Sequence, residues 1–548
     1  MNDHLESAGE KGKGEHVRLA LSARFLAPAR SIQRAVKRVL QPLLNRLRFF
    51  ARRFPVLRAV AARIETRRAE ESWGKRDARK NSDTAPPPGE VVTLQGLWAM
   101  EFYTPSQAER LLAGFQKLKW DKTNSFGRDP VQWVRKNRSH AFGGGWFNLG
   151  AITRATKESS LIEARSAPLP DSVDYAEGAI LTLTSSLTCV ILFFVYRNPF
   201  SARFQLAANL ARKTIAQPQG NGFIISSPHS QKQSDIEAAR AQARLEAWQW
   251  FRHNLPGVFC SETAIPDEFP TSELVTTEFS QPFPLGGEYD GPRGFLDVLG
   301  FDHYLEAWTL DSIPSLRFAT MVRGDGFHAS IAVKMKDLQA AAKSHTFGDD
   351  RSGWLYYADE TLQRVLTRWG LVALLSLLQK RVNALRDSTT FRSEGRKKSL
   401  STLTELSEVE FRGLDVGAIS VELQTFARHP WFADDVTDFK PLDGASFEGT
   451  SFLGGIRARL IDQTKWLQRA DKQVRRAVSQ QGNLIAAREN IRLQRRVEAL
   501  TAAIAFLTLI AILVAVLVPV ATDPDGKKLL AHWLATIAGW VSRGAPGP

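Results

Sequence analysis

The densest grouping of side chains that could do chemistry lies around the string FLDVLGFDHYLEAW, where Glu288, Asp290, Asp297, Asp302, His303 and Glu306 fall close together. Carboxylates with a histidine can hold a divalent cation or exchange protons with a substrate. The spacing matches no metal-binding motif. Asp297 and Asp302 are five residues apart, which puts them on different sides of a helix, whereas Asp302 and Glu306 at i and i+4 would share one. A solvated loop leading into a helix start is the favoured reading. A metal-dependent enzyme with its acidic site near residues 288–306 is kept as an alternative function.

Other motif-like strings carry less. In AFGGGWFNLG, residues 141–150, three glycines run into Trp146 and Phe147 with no GxGxxG pattern and no Lys-Ser/Thr. A phosphate cradle needs its glycines between a strand and a helix N-terminus, so a bend between strands is expected instead. Arg323-Gly324-Asp325 spells a cell-adhesion tripeptide, but Gly-Asp-Gly at a hairpin tip is ordinary turn chemistry. The stretch from Asp523 opens like a calcium loop, yet Leu534 stands where the twelfth-position glutamate is needed. Cys189 and Cys260 have no CxxC partner and no histidine cluster, which argues against zinc and suits a reducing compartment. No HExxH, GxSxG or Cys–His pairing occurs. No catalytic residue, metal ligand or cofactor is therefore assigned, and a non-enzymatic role is favoured.

The clearest binding chemistry is cationic. Residues 16–64 hold twelve Arg or Lys and no Asp or Glu, so most of the net charge of +15 belongs to this segment. Ile32, Val36, Val39, Leu40, Leu43, Leu44, Leu47 and Phe50 follow helical spacing, with most of the basic residues off that stripe. Arg30, Arg34, Lys37, Arg38, Arg46, Arg48, Arg52 and Arg53 form a candidate surface for anionic lipid head groups. A structural arm is the next reading. Nucleic acid ranks last, because aromatic residues are not interleaved for base stacking.

The elements that would position such chemistry begin with the bilayer. Ala502 to Val520, AAIAFLTLIAILVAVLVPV, is an unbroken uncharged run. Nineteen helical residues reach roughly 28 Å, close to the hydrocarbon thickness of a membrane. Arg488, Arg492, Arg495 and Arg496 precede it, whereas Asp523, Asp525, Lys527 and Lys528 follow, so the positive-inside bias puts the N-terminal bulk in the cytosol. The opening residues have no apolar h-region, and the acid-containing leader argues against organelle targeting. Residues 529–541 are apolar again but short for a span, and Trp533 and Trp540 suit an interface.

Between arm and anchor the pattern is mixed. Residues 91–103 read as a strand and 105–118 as a helix opened by Pro105. Ala179 to Tyr196 is long enough to tempt a transmembrane reading, but its threonines and β-branched residues favour two buried strands bent at Ser185-Ser186. Residues 234–253 read as a polar helix, 261–300 as loop, 315–334 as a hairpin, and 360–387 as a helix with a buried second half. Leu460, Leu467, Ala470, Val474, Ala477 and Leu484 keep one heptad register, and Val497, Leu500, Ile504 and Leu507 a second.

The expected fold class is thus α+β. The expected divisions are a disordered leader 1–15, a basic amphipathic arm and linker 16–85, an α+β soluble region 86–390, and a linker with a small helical segment 391–455. A stalk helix 456–501 with coiled-coil spacing, a transmembrane helix 502–520 and a terminal segment 521–548 complete the chain. The expected function is a single-pass, cytosol-facing scaffold, sensor or regulator in a bacterial inner membrane, partnered by lipid and, through the stalk, by further copies of itself. The second alternative is an oligomeric channel or transport protein using both C-terminal apolar segments.

Overall fold

The computed structural model describes residues 55–121, 129–140, 144–154, 165–219, 222–262, 266–285, 293–302, 306–320, 327–345, 348, 350–391, 415–442, 451–522 and 524–543. It divides into two compact units, one of residues 1–373 with 428–458, the other of residues 374–427 with 459–548. The fold is mixed α/β with a long C-terminal helix.

The first unit is organised by strand β1 (Thr93–Tyr103), ten of whose eleven residues are buried. The other strands are β2 (Gly145–Thr153), β3 (Arg165–Ser166), β4 (Val173–Thr182), β5 (Thr188–Tyr196), β6 (Ile215–Gln219) and β7 (Gly222–Ser226). They continue with β8 (Thr271–Thr277), β9 (Glu306–Leu310), β10 (Ile313–Thr320), β11 (His328–Lys334) and β12 (Lys440–Pro441). The helices are α1 (Pro55–Trp73), α2 (Asp77–Asp83), α3 (Ala108–Lys117), α4 (Pro130–Arg138), α5 (Asn198–Ser201), α6 (Arg203–Asn209) and α7 (Pro228–Asn254). After them come α8 (Val258–Glu262), α9 (Arg293–Leu299), α10 (Met335–Ser344), α11 (Arg351–Phe391), α12 (415–428), α13 (Phe452–Thr522) and α14 (Pro524–Arg543).

Ten strands make one sheet in the order β12-β9-β10-β11-β8-β1-β5-β4-β2-β3, and β6 pairs with β7 separately. The β8/β11 and β2/β3 pairs are parallel; the rest are antiparallel. Helices cover both faces of the central strands. On one face Phe194 meets Trp250 and Phe251 of α7, and the Tyr103 hydroxyl donates to the Leu255 carbonyl just past it at 2.7 Å. On the other, Trp98 Nε1 donates to Asp359 of α11 at 2.7 Å, and Phe318 meets Trp369. Trp98 stacks on Phe193 with centroids 4.1 Å apart, a geometry worth about 0.5–1.5 kcal/mol beyond area burial. Gly96 allows this close approach, since a Cβ there would lie 2.5 Å from the Phe193 ring.

All nine residues of β5 are buried. A strand covered on both faces reads as a continuous apolar run, which is why residues 179–196 resemble a membrane span while forming the two expected strands. The residues between them, 184–186, form the bend. The expected helix after Pro105, the hairpin of β10 and β11 and the long apolar helix within α11 are likewise present.

Several local expectations are corrected. Residues 261–300 are not simply loop: they contain β8, every residue of which is buried, and α9. Partners on both edges override the weak strand propensity of its Ser and Glu. The polar tract from Arg67 is helical as far as Asp83, and residues 84–92, which include the Pro-rich linker expected at 85–89, connect it to β1. It is tied to the body: Thr214 N donates to Asp77 at 2.8 Å, Asn81 Nδ2 to the Arg212 carbonyl at 2.8 Å and Ala216 N to Glu70 at 3.2 Å. Helix α7, expected to be polar, buries Lys232 and Arg240.

Lys232 donates to the Ala208 carbonyl at 2.7 Å, and Arg240 is held by several partners. Its Nε lies 2.9 and 3.0 Å from the two Glu273 oxygens, and it also donates to Glu237 and to the Leu299 carbonyl, both at 2.7 Å. Glu273 accepts from Ser330 as well, at 2.9 Å. Both partners are 1 % exposed, so removing one strands the other's charge. Glu273→Leu should therefore destabilise unit 1 by about 3–5 kcal/mol, and the double change Arg240→Met with Glu273→Leu should cost less than Glu273→Leu alone. Denaturant titration followed by tryptophan fluorescence tests this; equal loss in both variants would refute it.

Candidate membrane anchor and buried ionisable groups

No glycine or proline interrupts the chain between Gly482 and Pro519, and α13 runs unbroken over 71 residues. Its two halves have different surroundings. Leu460, Leu467, Val474 and Val478 are buried in the second unit. There Gln468 donates to the Ser420 carbonyl and to Gln424 of α12 at 3.2 and 3.3 Å, while Val416, Ile419 and Leu423 supply the buried side of α12. Leu484, the last member of the first expected register, is 67 % exposed.

Beyond it most of the described residues of the helix are exposed. Residues 499–522 carry no charge. The helix is long and apolar enough to cross a membrane, and its most apolar residues are not buried. Twenty-four helical residues reach about 36 Å, enough for a hydrocarbon core of roughly 30 Å with some tilt. The hydroxyls of Thr501 and Thr508 donate to the Val497 and Ile504 carbonyls at 2.8 Å, so both are satisfied within the helix, as an apolar solvent requires. Arg488, Arg492, Arg495 and Arg496 are exposed immediately before this stretch.

The largely polar run from Ala521 to Lys528 is mostly helical. Residues up to Thr522 belong to α13 and α14 starts at Pro524, where proline is tolerated in the first turn. On α14, Leu529, Trp533, Ile537 and Trp540 are exposed and recur at i, i+4, i+8 and i+11, one stripe of the helix. Among the described residues α13 alone passes as a membrane-crossing helix.

The proposed lipid-binding residues Arg30, Arg34, Lys37, Arg38, Arg46, Arg48, Arg52 and Arg53 lie outside the described residues, as do Glu288, Asp290, His303 and the Arg323-Gly324-Asp325 string. The remaining acidic residues of the first cluster are not gathered on a helix. Asp297 on α9 lies 2.6 Å from His229 Nε2 on α7, Asp302 precedes β9, and Glu306 opens that strand. Asp302 and Glu306 thus do not share a helix face. Among the described residues no three His, Cys, Asp or Glu side chains could hold a metal ion. The expected inter-strand bend at the glycines is instead the passage from α4 into β2; Gly144 is overlain by the Trp431 ring. Both cysteines are buried free thiols whose pKa burial pushes up, so neither is an activated nucleophile.

Sequence reasoning missed three buried acids. Glu101 in β1 accepts from the backbone N–H groups of Phe102, Phe259 and Cys260 at 3.0, 2.9 and 2.8 Å. Gly257 lets that loop approach, since a Cβ there would lie 2.5 Å from the Phe102 carbonyl. Burial outweighs these donors and raises the Glu101 carboxyl to about 7. Asp359 on α11, beside the Trp98 indole, is raised to about 7 by burial, with Glu360 adding repulsion. Glu177 on β4 is raised to about 8 by burial and by Asp359 and Glu360. The signal available in the sequence was a lone acid inside an apolar strand, as in AMEFY. No protein-family model matches the chain, and no curated protein sequence matches it.

These acids hold their protons longer in the folded chain than in the unfolded one. Their contribution is complete below the unfolded values near 4 and is lost as pH rises through 7 to 8. His328 opposes this below about 6.5, because burial lowers its pKa. Glu273, held well below the usual range chiefly by Arg240 against the penalty of burial, loses its contribution only in acid. Stability should therefore fall between pH 6.5 and 8.5 by about 2–4 kcal/mol, and Glu177→Gln should remove about half of that slope. Denaturation midpoints at stepped pH measure it; a stability that rises over this interval would refute the assignment.

Proposed function

We propose that this chain is a single-pass membrane protein that holds a cytosol-facing α/β body at the bilayer surface as a scaffold, sensor or regulator. One observation carries the reading: a charge-free helical stretch, none of whose described residues is buried, follows a cluster of exposed arginines. In water such a stretch would be an aggregation site; in a bilayer it is the expected surface. The arginines favour retention of their side in the cytosol. The stripe of Leu529, Trp533, Ile537 and Trp540 suits an interfacial helix on the far side, with its tryptophans at head-group depth. The basic residues of the N-terminal arm supply a second, electrostatic contact with anionic lipid.

Deleting residues 497–548 should move the chain from the membrane pellet to the soluble fraction once the basic arm is also removed or screened by salt. Pelleting of that double deletion at high salt would sink the reading. In the full chain, a reporter inserted near Ser399 should be active only in the cytosol and one fused after Pro548 only outside it. A cytosolic C-terminus would mean that α14 also crosses, and would favour the channel alternative.

The arm makes a separate prediction. A peptide of residues 28–68 should gain helicity with acidic vesicles and not with neutral ones, and each arginine near the surface adds about 1 kcal/mol that salt screens. Circular dichroism across a salt series checks this; tighter binding to duplex DNA at equal salt would overturn it.

A further inference from the structure

The stretch of α13 between the buried stalk and the uncharged stretch has a pattern that a lipid-facing anchor does not need. Leu493, Val497, Leu500, Ile504, Leu507 and Val514 are each more than half exposed. They fall at a and d positions of one heptad frame, with Asn490 at the preceding a position and Ala511 at the a position between Leu507 and Val514. The charges sit elsewhere in that frame: Arg488 and Arg495 at f, Arg492 at c, Glu489 and Arg496 at g. Leu493 and Val497 lie among these charged residues, outside the uncharged stretch, so burial in hydrocarbon does not account for their alignment with it.

We propose that this seam is covered by the same seam of a second copy of the chain, forming a parallel, in-register helix pair that continues into the bilayer. The occupant follows from three considerations. Spacing alternating between three and four residues is what two supercoiled helices require of each other. Half-exposed side chains on six positions of two helices would bury on the order of 1,000 Å², the size a specific interface needs. Every copy enters the membrane in the same direction, which leaves parallel pairing as the arrangement open to neighbours, and Asn490 at an a position favours alignment with its counterpart over shifted registers. The flanks admit this pairing, because the e positions opposite Glu489 and Arg496 are the uncharged Gln494 and Thr501.

This inference rests on the membrane-crossing reading, and the test separates the two. The full chain is kept in its native membranes with a single added cysteine, Leu493→Cys or Leu500→Cys on the seam, Arg488→Cys or Arg495→Cys on the outer face. It is then oxidised with copper phenanthroline. The unmodified chain controls for Cys189 and Cys260, which are buried. The seam variants should give covalent dimer on the order of fivefold above the outer variants, as a-a′ and d-d′ positions face each other across a parallel pair. Equal yields at all four positions, or no dimer from the seam variants, would overturn the pairing. Alkaline carbonate extraction of the same membranes reports separately on the anchor. A chain that resists extraction but does not cross-link refutes the dimer alone, whereas a chain that washes off refutes the anchor.

Discussion

The constraint on which unit 1 depends is that its central strands are covered on both faces and paired on both edges. Nearly all residues of β1, β4, β5 and β8 are buried, which leaves little water to solvate a charge. Each acid in them must find a permanent partner or give up its ionised form. Glu273 takes the first course, through Arg240. Glu101 and Glu177 take the second in part, with burial raising their pKa toward neutrality. The placement of α7 and α11 follows from the same demand, since Arg240 comes from one and Asp359, which accepts from Trp98 in the sheet, from the other.

These buried polar contacts serve orientation as much as stability. A buried ion pair contributes little net energy over an apolar replacement, but it restricts how a helix can sit on a sheet. Arg240 meets Glu273, Glu237 and the Leu299 carbonyl at once, which fixes α7 against both β8 and the end of α9. The aromatic contacts of Phe194 with Trp250 and Phe251 then fill the space so defined.

The second unit obeys a different rule along its length. The early part of α13 buries Leu460, Leu467 and Val474, and its later part presents apolar residues to the surroundings without protein cover. On the proposed reading the same continuous helix changes solvent from protein, to water, to hydrocarbon. Its side chains change accordingly from one buried stripe, to a stripe among arginines, to apolar residues all round.

The sequence by itself determined what periodicity and charge can determine. Nineteen uncharged residues from Ala502 to Val520, the arginines before them, the helix after Pro105 and the two strands within 179–196 were legible because each depends on a local pattern. Tertiary structure alone decided that Thr271–Thr277, lying in a Pro-, Gly- and acid-rich stretch, is a central strand, because its order comes from β1 and β11 on either side. It alone decided that Asp297 faces His229 rather than Asp302, and that Lys232 and Arg240 of a polar-looking helix are buried. The partners of these residues lie tens to hundreds of positions away in the chain, so no window of neighbouring residues contains the interaction that places them.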